Sequence, residues 1–185
     1  MKRAIVGVMA MVVAGCVSAG DAPPVAGSQP ADAAVSTEQE AVLKVIDTFL
    51  LALGNGDRVL QKSVELPDGM IAFTRITDAG PGPVHRMAQS AMQGQPGHDP
   101  FVEMYWDADV RIRGPFAQVW ASYVLIDNGA TVHCGIDAFQ LVRLEGAWKI
   151  HGSLSTMEPG ACDELGLETA AGMRPRNGWT ETPLQ

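Results

Sequence analysis

The stretch "ATVHCGIDAFQLVRLEGAWKI", residues 130 to 150, decides the fold. Its first half reads as an apolar β-strand, its second half alternates apolar and polar residues, and Glu145-Gly146 between them is a typical hairpin turn. His133 and Asp137 lie in the first half, where a buried polar side chain requires a hydrogen-bond partner. The stretch therefore predicts a β-hairpin that carries a histidine and a carboxylate in an otherwise apolar strand.

Further strands are predicted on both sides of this hairpin. Asn128-Gly129 is a second hairpin signal, and "RGP" at residues 113 to 115 is a third joint between strands. The predicted strands cover residues 101–113, 116–126, 131–144 and 147–157. Such short connections join neighbouring antiparallel strands, so the second half of the chain is predicted to be a meander.

Helices precede these strands. "STEQEAVLKVIDTFLLALGNGD", from Ser36, combines a capping residue, acids in the first turn and apolar residues at helical spacing, and Gly54-Asn55-Gly56 ends it. A short second helix around residues 58–63, a strand at 69–77 and a short helix near 84–92 follow. This order predicts an α+β fold, in which a cone-shaped, curved antiparallel or mixed β-sheet wraps around the N-terminal helices.

This order of elements, together with three stretches of sequence, resembles the nuclear transport factor 2-like superfamily, including its SnoaL-like and lumazine-binding-like members. The stretches are "FVEMYWDADVRIRGPFAQVWASYVLIDNG", "HCGIDAFQLVRLEGAWKI" and "SLSTMEPGAC", and the resemblance covers residues 36–162. It implies a cone-shaped pocket, frequent dimerisation, and a family that mixes enzymes with non-enzymatic ligand-binding modules. The motif is typical of the fold and does not select one function.

The N-terminus resembles a bacterial lipoprotein signal. Lys2 and Arg3 precede a short apolar run, and "VAGC" at residues 13 to 16 is similar to a lipobox. We expect a signal peptide over residues 1–15, cleaved before a lipid-bearing Cys16, and a flexible tether over residues 16–35. The protein would then be anchored to a membrane of the cell envelope and face the periplasm. The alternative is an ordinary cleaved signal that contains a cysteine.

Net charge excludes one class of partner. Removing residues 1–15 leaves 11 basic against 21 acidic residues, a formal charge of −10. Nucleic-acid binding depends on basic residues that neutralise phosphates, and the sequence contains no basic stripe. We therefore expect no nucleic acid among the partners.

Two cysteines remain if Cys16 carries lipid. In an exported protein Cys134 and Cys162 are expected to form a disulfide, and two buried free thiols are the alternative. Beyond Cys162 the sequence loses its periodicity and gains Gly and Pro. Residues 163–185 are therefore predicted to be a loose C-terminal tail.

The hairpin turns predict which side chains share a face. A two-residue turn at Asn128-Gly129, counted along the strands, places Asp137 opposite Trp120 and His133 opposite Val124. A similar count from the Glu145-Gly146 turn places Asp137 opposite Leu154. The concave face is predicted to carry His133, Asp137 and a pocket lined by Trp120, Ser122, Phe116, Phe139 and Tyr105.

The opposite face of the same strands is predicted to be more apolar than a solvated surface. It would carry Val119, Ala121, Tyr123, Ile136 and Ala138. Burial against a second copy of the chain accounts for such a face, so we expect a homodimer.

His133 and Asp137 are the candidate catalytic residues. Four residues apart on one strand, their backbones should lie about 13 Å apart, which excludes a direct dyad in a regular strand. Asp137, paired with the Trp120 indole, could act as a base or an acid, or the pair could only join two strands. His133 would lie at the edge of the pocket, where a structural role is the commoner one. No metal-ligand spacing or nucleotide-binding motif occurs, so no metal and no cofactor are expected.

Three functions are compatible with these patterns. The first is a lipid-anchored module that binds a small, mostly apolar molecule or a peptide segment. The second is an enzyme of the dehydratase, isomerase or cyclase type, with Asp137 as general acid or base and His133 or Tyr105 assisting. The third is a structural domain whose cone is filled by its own side chains.

Overall fold

The computed structural model describes residues 36–174. The predicted signal peptide over residues 1–15, the lipidation of Cys16 and the tether over residues 16–35 concern residues outside this range. The same holds for residues 175–185 of the predicted tail. Within the described range, no helix is both long enough and apolar enough to span a membrane.

Residues 36–174 contain three α-helices, one short 3₁₀ helix and seven β-strands. The α-helices are α1 (Thr37–Gly54), α2 (Arg58–Val64) and α3 (Gln89–Gln93), and the 3₁₀ helix is Leu167–Thr169. The strands are β1 (Glu65–Thr77), β2 (Gly80–Pro81), β3 (His85–Ala88), β4 (Val102–Arg113), β5 (Phe116–Asp127), β6 (Ala130–Leu144) and β7 (Ala147–Met157).

The predicted first helix is confirmed. Ser36 Oγ accepts a hydrogen bond from the backbone N–H of Gln39, and Gln39 Oε1 accepts one from the backbone N–H of Ser36. This capping box satisfies two backbone donors that the helix cannot pair internally. The apolar side of α1, with Val42, Ile46 and Leu50 at most 1% exposed, packs on the concave side of the sheet.

The sheet is mixed and curled, which confirms the predicted α+β class. Its strand order is β2-β1-β7-β6-β5-β4, and β3 pairs with β1. The meander from β4 to β7 is antiparallel, whereas β1 runs parallel to β7. The helices α1, α2 and α3 contact the sheet mainly through β1, β4 and β7, so the central strands β5 and β6 form the base of a concave space.

Both predicted hairpin turns form as two-residue turns. Asn128 and Gly129, and likewise Glu145 and Gly146, all have positive φ angles between 51° and 84°. Two consecutive positive φ angles define the type I′ turn, whose twist matches that of the flanking strands.

The predicted helix near residues 84–92 is mostly wrong. Residues His85–Ala88 form β3 and pair with Met70–Phe73 of β1, and helix α3 comprises only the five residues Gln89–Gln93. Pairing with the edge of β1 satisfies backbone groups of this segment, and this tertiary contact overrides local helical preference.

Two β-bulges change the predicted register. Between β5 and β6, Ile126 pairs with Thr131 but Leu125 pairs with His133, so Val132 is an extra residue. Between β6 and β7, Leu141 pairs with Ile150 but Gln140 pairs with Gly152, so His151 is extra. Beyond each extra residue, the pairing with the neighbouring strand is shifted by one position. Because side chains alternate along a strand, this shift reverses which residues of the two strands share a face.

The exchange moves Asp137 to new partners. Asp137 pairs with Ala121 of β5 and Ser155 of β7, and the predicted pairing with Trp120 and Leu154 is wrong. The inner face of the sheet is the face that packs against α1, and the outer face is the opposite one. Of the residues predicted for the outer face, Ile136 and Ala138 are there, but the β5 residues Val119, Ala121 and Tyr123 belong to the inner core.

The C-terminal segment differs from the loose tail that we predicted. Leu165, Leu167 and Met173 pack against a cluster of the outer face, which contains Trp106 and Cys134 among its buried members. The Trp106 Nε1–H donates to the carbonyl oxygen of Leu165 over 3.1 Å. Residues 163–174 therefore cover one end of the outer face.

The predicted disulfide is confirmed. Cys134 on the outer face of β6 is bonded to Cys162, 28 residues further along the chain. The backbone groups of Cys134 and Glu158 also exchange hydrogen bonds beside it. The disulfide and these bonds attach the beginning of the C-terminal segment to the centre of the sheet.

Candidate functional site

A cavity of about 280 Å³ lies between the inner face of the sheet and the helices. Its base is formed by β5, β6 and β7, and its sides by β1, β3, β4, α1 and the segment from α3 to β4. The apolar part of the lining contains five aromatic residues, namely Phe49, Phe73, Phe101, Tyr123 and Phe139, and three methionines, namely Met87, Met92 and Met157. Such a lining suits a mostly apolar guest.

Asp137 lies in this lining and is only 2% exposed. Ser155, which the β7 bulge places opposite it, donates its hydroxyl to Asp137 Oδ1 over 2.6 Å. Asp137 Oδ2 is buried and receives no hydrogen bond from a hydroxyl, amide or basic group of residues 36–174. The carboxyl of Glu103 also lies within hydrogen-bonding reach of the Asp137 carboxyl, and it can donate to Asp137 only in its protonated form.

The two carboxyls perturb each other. Burial raises the pKa of Glu103 well above its usual range, and the charge of Asp137 and the hydrogen bond between the carboxyls raise it further. Burial also raises the pKa of Asp137, to about 6, although its hydrogen bonds with Ser155 and Glu103 partly oppose this. The two carboxyls therefore titrate as one coupled pair in which Glu103 has the higher pKa, and the pair carries negative charge once Asp137 has ionised above about pH 6.

His133 lines the same cavity and is 5% exposed. Tyr123 donates its only hydroxyl proton to the backbone oxygen of Thr156 over 2.7 Å. The 3.3 Å contact between Tyr123 Oη and His133 Nδ1 therefore requires the proton on Nδ1. In a neutral ring this leaves Nε2 with its lone pair, able to accept a proton or a hydrogen bond.

The surroundings of His133 favour the neutral ring. Burial lowers its pKa, a backbone hydrogen bond at Cys134 opposes this, and the positive charge of Arg75 lowers the pKa further. Burial also raises the pKa of Tyr123, as do the charges of nearby carboxyls, so its hydroxyl stays protonated at neutral pH. The cavity thus offers a neutral imidazole, a phenol and a carboxyl pair.

The structure brings together some of the predicted site residues. His133, Asp137 and Phe139 all line the cavity. The Tyr105 side chain lies in the core, and its hydroxyl donates to Asp47 Oδ1 over 2.8 Å. Tyr105 therefore joins β4 to α1 and does not line the cavity, contrary to the prediction.

The three other pocket residues were assigned to the wrong face. Trp120 and Phe116 are 53% and 63% exposed on the outer face, and Ser122 lies on the same face of β5. The cause is the extra residue Val132, which the hairpin count did not include. Trp120 instead borders an apolar depression of about 340 Å³ on the outer face, together with Ile136, Ala138 and Leu154.

Sequence reasoning missed Glu103. A signal for it exists in "FVEMY", residues 101 to 105, because alternation places Phe101, Glu103 and Tyr105 on one side of β4. An acid between two aromatic residues on the buried side of a strand is unusual, since buried carboxylates require partners.

No protein-family model matches this chain, and no curated protein matches it. Within residues 36–174, His, Cys, Asp and Glu side chains form no group of three or more that could hold a metal ion.

Solved structures show what the chain is similar to. A protein of unknown function with a cystatin-like fold from Nostoc punctiforme aligns with a TM-score of 0.53 and 9% identity, over 68% of this chain and 96% of that chain. The β subunit of a proposed aromatic-ring-hydroxylating dioxygenase from Novosphingobium aromaticivorans aligns with a TM-score of 0.51 and 12% identity, over 65% and 89%.

A third structure carries the name of the family. It is a proposed dehydratase of the nuclear transport factor 2-like family from Streptomyces avermitilis, with a TM-score of 0.50 and 16% identity, over 65% of this chain and 96% of that chain. At these identities the similarity concerns the fold and not the activity. The helices packed in a curled mixed sheet, the cavity between them and these three alignments agree with the sequence resemblance, and the chain has the nuclear transport factor 2-like fold.

Proposed function

We propose that this protein binds a small, mostly apolar molecule that presents one polar group to the carboxyl pair of Glu103 and Asp137. The observation that carries the proposal is the position of Asp137. Its Oδ2 atom is buried in the lining of an apolar cavity and receives no hydrogen bond from a hydroxyl, amide or basic group of residues 36–174.

The energetics of burial support this proposal. Removing a carboxylate from water costs several kcal/mol unless hydrogen bonds or an opposite charge compensate, and Ser155 provides only one hydrogen bond. A domain that needed only a filled core would be better stabilised by apolar side chains at positions 103 and 137. A guest that donates to Oδ2 would recover part of this cost.

We also propose that the module is attached to the cell envelope through lipid on Cys16, as expected from the signal-like N-terminus. Globomycin, which blocks processing of lipoprotein precursors, should then increase the mass of the cellular protein. Replacing Cys16 by serine should release the protein from the membrane fraction. An unchanged membrane fraction for Cys16→Ser would contradict the anchor.

Ligand binding can be tested with a cavity-filling variant. The full chain is unfolded in urea, refolded to remove any bound molecule, and screened against small apolar compounds by thermal unfolding. A binder present at 100 times its Kd should stabilise the chain by about 2.7 kcal/mol. Leu125→Trp, which fills the cavity, should abolish this effect, whereas Val59→Trp, at a position 82% exposed on α2, should retain it.

The same experiment decides against the proposal in two ways. Thermal shifts that persist in Leu125→Trp would show that the compounds bind elsewhere. A broad screen without any shift would indicate that the cavity is a feature of packing alone.

An enzyme of the dehydratase, isomerase or cyclase type is the second candidate. The observation that favours it is the difference between the two carboxyls, because Glu103 can donate a proton while Asp137 accepts one. The lone pair of His133 Nε2 offers a further base in the same cavity. For this candidate, Asp137→Asn should lower kcat by at least about 100-fold with a small change in KM. Full activity of the variant would exclude Asp137 as the acid or base.

A further inference from the structure

The cavity carries negative charge, and its described lining contains no lysine or arginine. Its chargeable groups are Glu103, Asp137 and His133, and the imidazole is neutral. The positive charge that acts on His133 belongs to Arg75, an exposed residue of β1. The carboxylate of Asp137 therefore lacks a counter-ion among residues 36–174.

The remaining polar atoms do not supply this missing charge. Ser155 satisfies Asp137 Oδ1, and the Tyr123 hydroxyl is used by the backbone oxygen of Thr156. Asp137 Oδ2 is buried without a donor from any of these groups, so it is available to a donor that enters the cavity. An anionic guest would meet the negative charge without any cationic residue to offset it.

The aromatic part of the lining adds a second preference. The faces of aromatic rings carry partial negative charge and attract cations. Phe49 and Phe139 already meet edge to face, with their centroids 5.8 Å apart. Aromatic rings and a buried carboxylate in one cavity are the two features that favour an organic ammonium ion over a neutral guest of equal shape.

We propose that the cavity binds a small organic cation, an ammonium group on an apolar body, with the ammonium at Asp137 Oδ2 and the apolar body against the aromatic and methionine side chains. This inference rests on the proposed binding function and assigns the chemical class of the ligand. A primary ammonium donates a hydrogen bond to Oδ2. A quaternary ammonium contributes charge alone, so the two types separate hydrogen bonding from electrostatic attraction.

Binding of a cation should release a proton. The charge of the guest stabilises the ionised form of Glu103, so the proton shared by the carboxyl pair is lost more easily. Tyr123 on β5 is affected by the charges of both carboxyls and of Glu158, and His133 on β6, which lines the same cavity, is affected by the charge of Arg75 on β1. The affinity for a quaternary ammonium should therefore increase between pH 5.5 and pH 8.

Matched probes test the charge preference. Phenyltrimethylammonium and tert-butylbenzene have nearly the same shape but differ by one positive charge, 2-phenylethylammonium adds a hydrogen-bond donor, and benzoate supplies an anion. With the full chain at pH 7.5, calorimetry or competition should give at least tenfold tighter binding of phenyltrimethylammonium than of tert-butylbenzene, and no binding of benzoate.

Variants assign the preference to the carboxyl pair. Asp137→Asn should weaken binding of the cation at least tenfold and leave tert-butylbenzene unchanged, which also shows that the variant is folded. Glu103→Gln should keep the cation preference but abolish proton release, measured by calorimetry in two buffers of different ionisation enthalpy. Asp109→Asn removes an exposed carboxylate of β4 and should change neither affinity.

The outcomes separate the two proposals. Binding of tert-butylbenzene without tighter binding of the cation overturns the ligand class and retains the binding function. A cation preference that survives Asp137→Asn also overturns the ligand class, because the charge then acts elsewhere. Failure of every probe and every screened compound to bind overturns the binding function, and this inference with it.

Discussion

Asp137 is 2% exposed in the cavity lining, accepts the Ser155 hydroxyl at Oδ1 and shares a hydrogen bond with the carboxyl of Glu103. This position links protonation to stability. Its pKa in the folded chain, about 6, exceeds the ordinary value of 3.8, so the native state binds this proton more tightly than the unfolded state does. The contribution of this protonation to the unfolding free energy is complete below the ordinary pKa of 3.8, and it is lost as the pH rises through about 6.

We predict that the unfolding free energy decreases between pH 4.5 and pH 7.5 through this residue. One pKa unit corresponds to about 1.4 kcal/mol, so the decrease due to Asp137 is at most roughly 3 kcal/mol. Asp137→Asn should remove this part of the pH dependence, and Asp109→Asn should not. Urea unfolding at four pH values measures both. Equal pH dependence in the Asp137→Asn variant and the unchanged chain would contradict the prediction.

His133, Asp137 and Glu103 differ in how well the sequence alone identifies them. The histidine and aspartate of β6 stand out because polar residues are rare in an apolar strand, and the structure places both in the cavity lining. Glu103 lies near other acids of the same strand, Asp107 and Asp109, so only its position between Phe101 and Tyr105 distinguishes it. Its partner is 34 positions away in sequence, and only the curvature of the sheet brings the two carboxyls together.

Strand register could be predicted near each turn but not along whole strands. The turn residues fix pairs such as Asp127 with Ala130 and Leu144 with Ala147, which follow from the glycine-containing turns. The bulge at Val132 has no adjacent glycine or proline to mark it, whereas Gly152 directly follows the bulge residue His151. One unmarked residue was enough to place Trp120 on the wrong face.

At the level of elements, the disulfide joins β6 to the C-terminal segment. We predict that Cys134→Ala with Cys162→Ala lowers the unfolding free energy by about 3 kcal/mol, the entropic effect of opening a loop of this length. Hydrogen exchange should accelerate first at residues 163–174, because they depend on this attachment. Equal protection of that segment in both forms would show that packing alone holds it.

A second attachment involves Arg174 and helix α1. The Arg174 guanidinium donates to Glu40 over 2.8 Å and also to Asp47, which accepts from Tyr105 as well. The Arg174 side chain is 26% exposed, so these ion pairs are partly shielded from water. They connect the end of the described chain with α1 and β4.

We predict that Arg174→Gln costs about 2 kcal/mol of unfolding free energy, because a partly buried carboxylate loses its charged donor. Arg111→Gln is the matched control, since Arg111 forms an ion pair whose two side chains are 75% and 51% exposed. It should cost less than about 0.5 kcal/mol. Denaturant unfolding at low and high salt compares the two variants. A similar cost for both would indicate that the Arg174 contacts are solvated.

At the level of the whole molecule, the outer face exposes large apolar side chains. Trp120 and Leu154 are both about half exposed beside the apolar depression, and Val84 at its border is 63% exposed. A contiguous apolar surface of this kind is uncommon on a monomer. Homodimerisation stays a prediction, now with Trp120, Leu154 and Val84 beside the predicted Ile136 and Ala138.

We predict that Trp120→Glu shifts the chain toward the monomer, because a charge at the centre of an apolar contact loses its water. Sedimentation velocity over a hundredfold range of concentration measures the change. Val59→Glu, on α2 and 82% exposed, is the control and should leave the association unchanged. A monomer at every concentration of the unchanged chain would remove the prediction.

The disulfide also has a consequence for how the chain matures. Adjacent residues point to opposite faces, so Cys134 reaches Cys162 on the outer face only when His133 points into the cavity. A slip of β6 by one residue would turn Cys134 inward and away from Cys162. The disulfide can therefore form only when β6 has the native register. In an oxidising compartment, the bond would then stabilise the register that places His133 in the cavity.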